Sequence, residues 1–222
     1  MKIRSVSANV LQVTRAHFVN AYLVQEDDGF TLVDTTLGGA AEKLLSIAQR
    51  SGGEIKRLAL THGHQDHAGS LDALRERLGA AVEVSMSELD ARACRDEGKR
   101  RGSWAKLETT PDVLLHGGER IGSLEVIATP GHTPGHVAFL DTRDRTLIAG
   151  DTFTTYVRTE IPNHYLQAFP FAAMGTQDPR EIVESARALR ELDPTVLLAG
   201  HGPAVASPAR AIDAAIRRAG DR

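Results

Sequence analysis

The chain contains 222 residues, enough for one large domain or two small ones. Its formal net charge of −3 argues against a dedicated nucleic-acid-binding protein, which would usually be basic, so we expect no nucleic-acid partner. No apolar run approaches the length that spans a membrane, and polar residues interrupt any signal-peptide core near the N-terminus. A single cysteine, Cys94, excludes an intramolecular disulfide and favours a cytoplasmic location.

The first half of the chain predicts strands that alternate with helices. Residues 3–13 alternate loosely between apolar and polar side chains and predict one strand. Cys94 falls in a predicted helix over residues 87–98, where we expect a packing residue or an inert thiol. Candidate metal ligands, described below, lie on both sides of the charged residues 95–103. We therefore expect one domain over residues 1–222. The remaining predicted strands are residues 20–24, 30–34, 55–60 and 81–85, and the remaining predicted helices are residues 40–50 and 70–78.

Three histidines and one aspartate fall within six residues directly after the apolar strand end at residues 58–60. They are His62, His64, Asp66 and His67, on a loop between that strand and the next helix. Neutral imidazole and carboxylate form the ligand set of zinc and similar divalent metals. In an extended turn His62 and His64 point the same way, whereas the adjacent Asp66 and His67 diverge. One loop could therefore supply ligands to two metal positions.

In the second half of the chain, three further candidate ligands lie in a predicted loop or directly after a predicted strand. His132 lies in a loop fixed by two prolines and two glycines, Asp151 follows one apolar strand, and His201 follows another. The glycines beside His201 allow the backbone to approach a buried site closely. His136 is expected to pack or to form a local hydrogen bond. The predicted elements are strands at residues 113–115, around 121, and at 124–127, 136–140, 146–149 and 196–199, and a closing helix at 208–219.

Asp34 stands at the end of a predicted strand and has two interpretations. It could be the hydrogen-bond partner of a metal-bound histidine, because such histidines usually require one. It could equally be a turn or helix-capping aspartate.

The pattern His62-x-His64-x-Asp66-His67 resembles the signature of the metallo-β-lactamase superfamily. That superfamily supplies its remaining ligands in the order His, Asp, His, which His132, Asp151 and His201 reproduce, so the resemblance covers roughly residues 10–205. It implies an α/β fold: an αββα four-layer sandwich of two mixed β-sheets with outer helices and a metal site at one rim. By resemblance, His62, His64 and His132 hold one metal, Asp66, His67 and His201 hold the other, and Asp151 bridges the two.

The resemblance also implies an enzyme with two divalent metal ions, Zn²⁺ in the first place and Mn²⁺ or Fe²⁺ as alternatives. We expect a hydrolase that cleaves an ester, thioester or lactone bond of a small molecule by metal-bound hydroxide, with Asp66 and Asp151 as catalytic residues. Zinc β-lactamases typically have cysteine at the position of Asp151. In having aspartate there, the chain is similar to glyoxalase II enzymes and acyl-homoserine lactonases. Glyoxalase II enzymes bind glutathione through a C-terminal helical extension, and with about twenty residues after His201 we do not expect that mode of glutathione recognition here. Two alternatives are an iron-dependent oxidoreductase similar to persulfide dioxygenases and a phosphodiesterase or nuclease.

The candidate substrate loop is residues 153–171, which contain half of the ten aromatic residues of the chain. Its length without clear periodicity, beside a metal ligand, is typical of a substrate loop. Tyr156 or His164 could donate a hydrogen bond to the substrate carbonyl or leaving group, and the aromatic rings favour a substrate with an apolar acyl portion. Alternatively, these aromatics pack under a surface loop or in a homodimer contact. The pocket would then be walled by the loops after Asp34 or around Trp104.

Overall fold

The computed structural model describes residues 1–95, 100–165 and 169–220, and it contains two mixed β-sheets that pack face to face. In the first sheet the strands lie in chain order, the first four antiparallel and the rest parallel. These strands are β1 Lys2–Ser5, β2 Val10–Arg15, β3 Val19–Glu26, β4 Gly29–Val33, β5 Ile55–Ala59, β6 Glu83–Ser87 and β7 Val113–Leu115.

The second sheet has the order β13-β12-β11-β10-β9-β8, with one parallel pair, β11 and β12. Its strands are β8 Arg120–Ile121, β9 Leu124–Ala128, β10 Val137–Asp141, β11 Thr146–Ile148, β12 Val196–Leu198 and β13 Val205–Ala206. The helices are α1 Ala41–Arg50, α2 Gln65–Ala68, α3 Leu71–Leu78, α4 Glu88–Ala93, α5 Pro170–Gly175, α6 Glu181–Glu191 and α7 Ala209–Gly220. Among the described helices, none is long and apolar enough to cross a membrane.

Alternation along the strands divides the buried apolar side chains into three layers. Leu23 and Leu32 belong to a cluster with α1 and α3, while their neighbours Tyr22 and Val33 face the second sheet. In the second sheet Leu140 packs with α6 and α7, and Phe139 joins the layer between the sheets. Helices, sheet, sheet and helices therefore form four layers, which confirms the predicted αββα sandwich.

Two predicted elements differ from the structure. Residues 3–13 form parts of two strands, β1 and β2, because the polar residues between them reverse the chain: the Val6 N–H donates to Val10 O, and Lys2 pairs with Thr14. The helix predicted over residues 87–98 ends at Ala93, where the Arg95 N–H donates to Arg92 O and tightens the last turn. The final residues of that prediction, 96–98, lie outside the described ranges.

Two helices, α5 and α6, occupy a part of the chain to which the sequence analysis assigned no element. In α6 the buried Ile182, Ala186 and Leu189 recur at helical spacing, a signal that was available in the sequence. Helix α6 packs on the second sheet, and α5 ends at Gly175 beside His64 and His132.

Candidate metal centre

The seven predicted ligands meet at one rim of the two sheets, each in the chain segment that follows a strand. His62 follows β5, and His64 immediately precedes α2, which contains Asp66 and His67. His132 lies in the loop between β9 and β10, Asp151 lies in a single 3₁₀ turn after β11, and His201 follows β12. Three groups of ligand atoms could each hold a metal ion: His62, His64 and His132; His62, His67 and Asp151; Asp66, His67 and His201.

The first group consists of three imidazoles whose nitrogen atoms converge. His62 Nε2 lies 3.1 Å from His64 Nδ1, and His132 Nε2 lies 3.0 Å from the same atom. Burial lowers the pKa of His64 to about 4, and it lowers the pKa of His62 and of His132 well below the usual value. All three rings are therefore neutral, which is the form of histidine that binds metals.

The group of Asp66, His67 and His201, which we call the second group, combines two imidazoles with one carboxylate. His201 Nε2 lies 3.4 Å from Asp66 Oδ2, and His67 Nε2 lies 3.8 Å from the same oxygen. Burial alone would lower the pKa of His67, but the surrounding carboxylates, Asp151 first, outweigh it and raise the pKa to about 10. The carboxylate of Asp66 brings to this group the negative charge that the three-histidine group lacks.

Asp151 lies between the three-histidine group and the group of Asp66, His67 and His201. Its Oδ1 is 3.5 Å from His67 Nε2, and its Oδ2 is 3.5 Å from His132 Nε2 and 3.2 Å from His201 Nε2. Gly200 makes this approach possible, because a Cβ there would collide with Asp151 Oδ1 and with the ring of His67. The predicted close backbone approach beside His201 is therefore confirmed.

Partners outside the centre hold four of the five imidazoles by their Nδ1 atoms. His201 Nδ1 donates to Phe18 O (3.0 Å), and His132 Nδ1 lies 3.1 Å from Thr176 Oγ1. Because the Thr176 hydroxyl donates to Pro162 O, it accepts from His132. These contacts direct the Nε2 atoms at the centre, as metal-binding histidines require.

Asp34 orients the other two of these four rings, His67 directly and His62 through Thr61. Its Oδ2 lies 2.8 Å from His67 Nδ1, and its carboxylate accepts from the Thr61 hydroxyl, which in turn lies 3.0 Å from His62 Nδ1. Of the two interpretations that the sequence left open, the structure therefore supports the hydrogen-bond partner. Asp34 also has a φ of +61°, a backbone conformation that aspartate tolerates better than most residues.

The donor set fits a bound metal. Within the described residues, His67 Nε2 and Asp151 Oδ1 are buried and neither makes a hydrogen bond, although only 3.5 Å separates them. Buried polar atoms are normally paired, so two such atoms that face each other without a hydrogen bond indicate a missing partner. A cation coordinated by both atoms satisfies them.

Two supporting residues, Asp90 and Thr176, were not predicted. Asp90 is buried and accepts hydrogen bonds from the Gly63 N–H (3.0 Å), the Thr133 hydroxyl (2.6 Å) and the Gly135 N–H (2.9 Å). It thus ties the loop of His62 and His64 to the loop of His132. Thr176 orients His132, as described above. The contacts of Asp90 with Thr133 and of Thr176 with His132 join segments more than 40 residues apart, and no local pattern signals them.

His136 also supports the site, and its expected local hydrogen bond is confirmed. Its Nε2 accepts from the Asp151 N–H at 3.0 Å, and its Nδ1 lies 2.8 Å from Thr129 Oγ1. Burial lowers the pKa of His136 to about 3. The neutral ring therefore holds the backbone of the residue between the two metal groups. Cys94 is buried, and burial raises the pKa of its thiol to about 12, as an inert thiol requires.

A cavity of 960 Å³, which we call the metal-centre cavity, opens onto the ligands. Tyr156, Phe169 and Phe171 from the predicted substrate loop line it, whereas Phe153 is a core residue and His164 is not among the lining residues. Leu37 and Gly102 also contribute, so the loops after Asp34 and before Trp104 share the wall with the aromatic segment. Phe18, which the sequence analysis missed, completes it. The lining residues are Phe18, Leu37, His64, Gln65, Asp66, Gly102, Ser103, His132, Asp151, Tyr156, Phe169, Pro170, Phe171, Ala172, Met174, Gly175 and His201.

Comparison with known proteins agrees with this geometry. Residues 14–201 match the model of the metallo-β-lactamase superfamily. The uncharacterized protein YobT of Bacillus subtilis is 38% identical over 211 residues, which cover 90% of each chain. The hydroxyacylglutathione hydrolase GloC of Haemophilus influenzae is 27% identical over 82% of this chain and 85% of its own. Among solved structures, TTHA1623 in a di-iron-bound form has a TM-score of 0.67 at 30% identity, over 89% of this chain and 94% of that one.

The fold and the convergent histidines and aspartates define a metal-dependent hydrolase. The chain belongs to the metallo-β-lactamase superfamily, and the resemblance read from its sequence is confirmed.

Proposed function

We propose that the chain is a dinuclear hydrolase that cleaves an ester, thioester or lactone bond in a small molecule. The position of Asp151 is the observation that carries this proposal, because its two oxygens face ligands of both metal groups. His62, His64 and His132 would hold one ion, Asp66, His67 and His201 the other, and Asp151 both. Two divalent ions, when bound, would activate water and polarise the bond that it attacks.

The protein's own groups then have distinct tasks. Of the two carboxylates at the centre, that of Asp66 is the more accessible. The Asp66 side chain is 30% exposed and lines the metal-centre cavity, whereas that of Asp151 is buried. Asp66 is therefore placed to accept a proton at Oδ2 from a group that enters the cavity. Tyr156, 45% exposed at the cavity wall, offers its hydroxyl to the carbonyl or leaving group of the substrate.

The apolar walls favour a substrate whose acyl portion is apolar. Phe18, Phe169, Phe171 and Met174 line the metal-centre cavity, and Phe171 is 71% exposed, so that apolar surface is available to a ligand. The similarity to GloC supports an acyl compound as the substrate class. Both observations are consistent with ester, thioester or lactone hydrolysis.

The proposed ions are Zn²⁺, since three-imidazole sites with an open position are typical of catalytic zinc. The di-iron form of TTHA1623 supports Fe²⁺ as the alternative, and Mn²⁺ is a further one. We also propose a cytoplasmic location, consistent with a lone, buried thiol.

A substrate panel tests the proposed function. Purified protein is stripped of metal, reloaded with Zn²⁺, Mn²⁺ or Fe²⁺, and assayed with matched esters, thioesters and lactones that share one phenylacetyl or medium-chain acyl group. A phosphodiester and a persulfide, the latter with oxygen-uptake detection, test the alternative activities. We expect acyl hydrolysis with two ions per chain, and none with Asp151→Asn. Turnover of the phosphodiester or persulfide alone would overturn the proposal.

A further inference from the structure

A second cavity of 520 Å³, which we call the basic cavity, adjoins the metal-centre cavity. Tyr156 lines both cavities, and Gly202, which lines the basic cavity, directly follows the candidate ligand His201. The two cavities therefore meet at Tyr156 and along the segment of His201 and Gly202. The basic cavity is lined by Met1, Lys2, Arg4, Gln12, Thr14, Ala16, His17, Tyr156, Gly202 and Pro203.

Strand register explains why cations gather in this cavity. In the antiparallel pair of β1 and β2, Lys2 lies opposite Thr14 and Arg4 lies opposite Gln12, so the four side chains share one face of the sheet. Neither Lys2 nor Arg4 forms an ion pair with any residue in the described ranges, and the described lining contains no carboxylate. Two unneutralised cations therefore border the same cavity.

The floor and rim of the basic cavity are connected to the metal centre. The buried Gln12 donates from Nε2 to Gly202 O at 3.1 Å and to Asn20 Oδ1 at 2.8 Å. Asn20 in turn donates to Ala199 O and Gly202 O, on both sides of His201. A ligand that contacts this floor touches residues that hold the His201 loop.

The rim of the basic cavity is a strained turn whose residues line both cavities. Ala16 and His17 have φ values of +51° and +67°, and the Phe18 N–H closes the turn on Arg15 O at 3.2 Å. Two consecutive L-residues in the left-handed region are disfavoured, and such strain concentrates at ligand-binding sites. Here the turn places His17 at the basic cavity and Phe18 at the metal-centre cavity.

We propose that the basic cavity binds an anionic group, a carboxylate or a phosphate, on the leaving-group side of the substrate. The inference rests on the proposed function. It assigns the apolar acyl portion to the metal-centre cavity and the charged end of the leaving group to Lys2 and Arg4, with the scissile bond near Tyr156. Arginine and lysine are the residues that bind such anions most strongly.

Matched thioesters test this inference. One acyl group is joined to 3-mercaptopropionic acid, to 6-mercaptohexanoic acid, to the methyl ester of each, and to 2-mercaptoethyl phosphate. The variant Lys2→Gln/Arg4→Gln removes the two cations from the basic cavity. The control Lys43→Gln/Arg50→Gln removes the same charge from α1, whose residues line neither cavity.

The native protein should show a kcat/KM about tenfold higher for an anionic thioester than for its neutral partner, mainly through KM. Added salt should reduce this preference. The cavity variant should lose it while hydrolysing the methyl esters as the native protein does, and the control should keep it. Preference for the carboxylate or for the phosphate identifies the anion.

Two results would overturn the inference. Equal hydrolysis of charged and neutral thioesters by the native protein would leave the proposed function intact and assign the cations to protection of the β1 edge. Retention of the preference in Lys2→Gln/Arg4→Gln would do the same. Absence of all ester, thioester and lactone turnover would overturn the proposed function and this inference together.

Discussion

The carboxylate of Asp34 lies 2.8 Å from Nδ1 of His67, and both side chains are buried. The contact fixes the ring so that Nε2 faces Asp66 and Asp151. Loss of such an outer partner typically weakens metal binding about 10–100-fold.

We therefore expect Asp34→Ala to weaken binding of the ion that His67 would hold by about that factor, measured by chelator competition. Asp34→Asn is the matched variant, because asparagine accepts the same hydrogen bond and tolerates the φ of +61°. It should retain more of the affinity. Native affinity in Asp34→Ala would show that the contact does not support metal binding.

Metal content is the second prediction. Seven ligands exceed what one tetrahedral ion uses, so fully loaded protein should contain two ions per chain by elemental analysis. His132→Ala should remove the ion of the three-histidine group and leave the other. A single ion in fully loaded native protein would contradict the dinuclear centre.

Asp66→Ala should nearly abolish turnover while the fold is kept. Asp66 contributes to the second group and is the accessible carboxylate of the cavity. Circular dichroism checks the fold, and steady-state kinetics with metal analysis check the site. Near-native turnover at unchanged metal content would exclude Asp66 from the reaction.

Tyr156→Phe should reduce turnover more than metal affinity, because the hydroxyl lies at the cavity wall and is not among the candidate ligands. We predict the same for His164→Ala, although His164 does not line the cavity, so its effect should be smaller. Kinetics and metal titration of both variants measure the difference. A ligand-bound structure with no residue of 153–171 within about 4–4.5 Å of the ligand would contradict a role for this segment.

Asp90→Ala should destabilise the protein markedly. The substitution leaves three buried donors unpaired, at a cost of about 1–3 kcal/mol each. Asp72→Ala is a suitable control, since Asp72 in α3 accepts two backbone hydrogen bonds, from Glu108 and Thr109, that are exposed or only partly buried. Denaturant unfolding of metal-free protein should show the larger loss for Asp90→Ala. Equal losses would indicate that the bonds to Asp90 add nothing special.

The candidate ligands could be predicted because each stands beside a local signal: four within one short loop, the others next to apolar strands or paired glycines. The four-layer fold followed from the same strands and from the resemblance. The boundary errors arose where hydrogen bonds at the ends of elements, such as that from Arg95 to Arg92, outweighed composition.

The supporting residues could not be predicted in this way. Asp90 acts on Gly63 and Thr133, 27 and 43 residues distant, and Thr176 acts on His132, 44 residues distant, so only the packed fold brings them to the site. Phe18 enters the cavity from a turn at Ala16 and His17 that lacks the glycine or asparagine typical of positive φ. His136 was identified, but the backbone that it holds was not.

The split origin of the ligands has a consequence for unfolding. His62, His64, Asp66 and His67 belong to the half of the chain that forms the first sheet, whereas His132, Asp151 and His201 belong to the half that forms the second. An ion held by His64 and His132, or by His67 and His201, is a cross-link between the halves. Loaded protein must then unfold both sheets in one cooperative step, and a chelator would act as a denaturant by releasing each half to open separately.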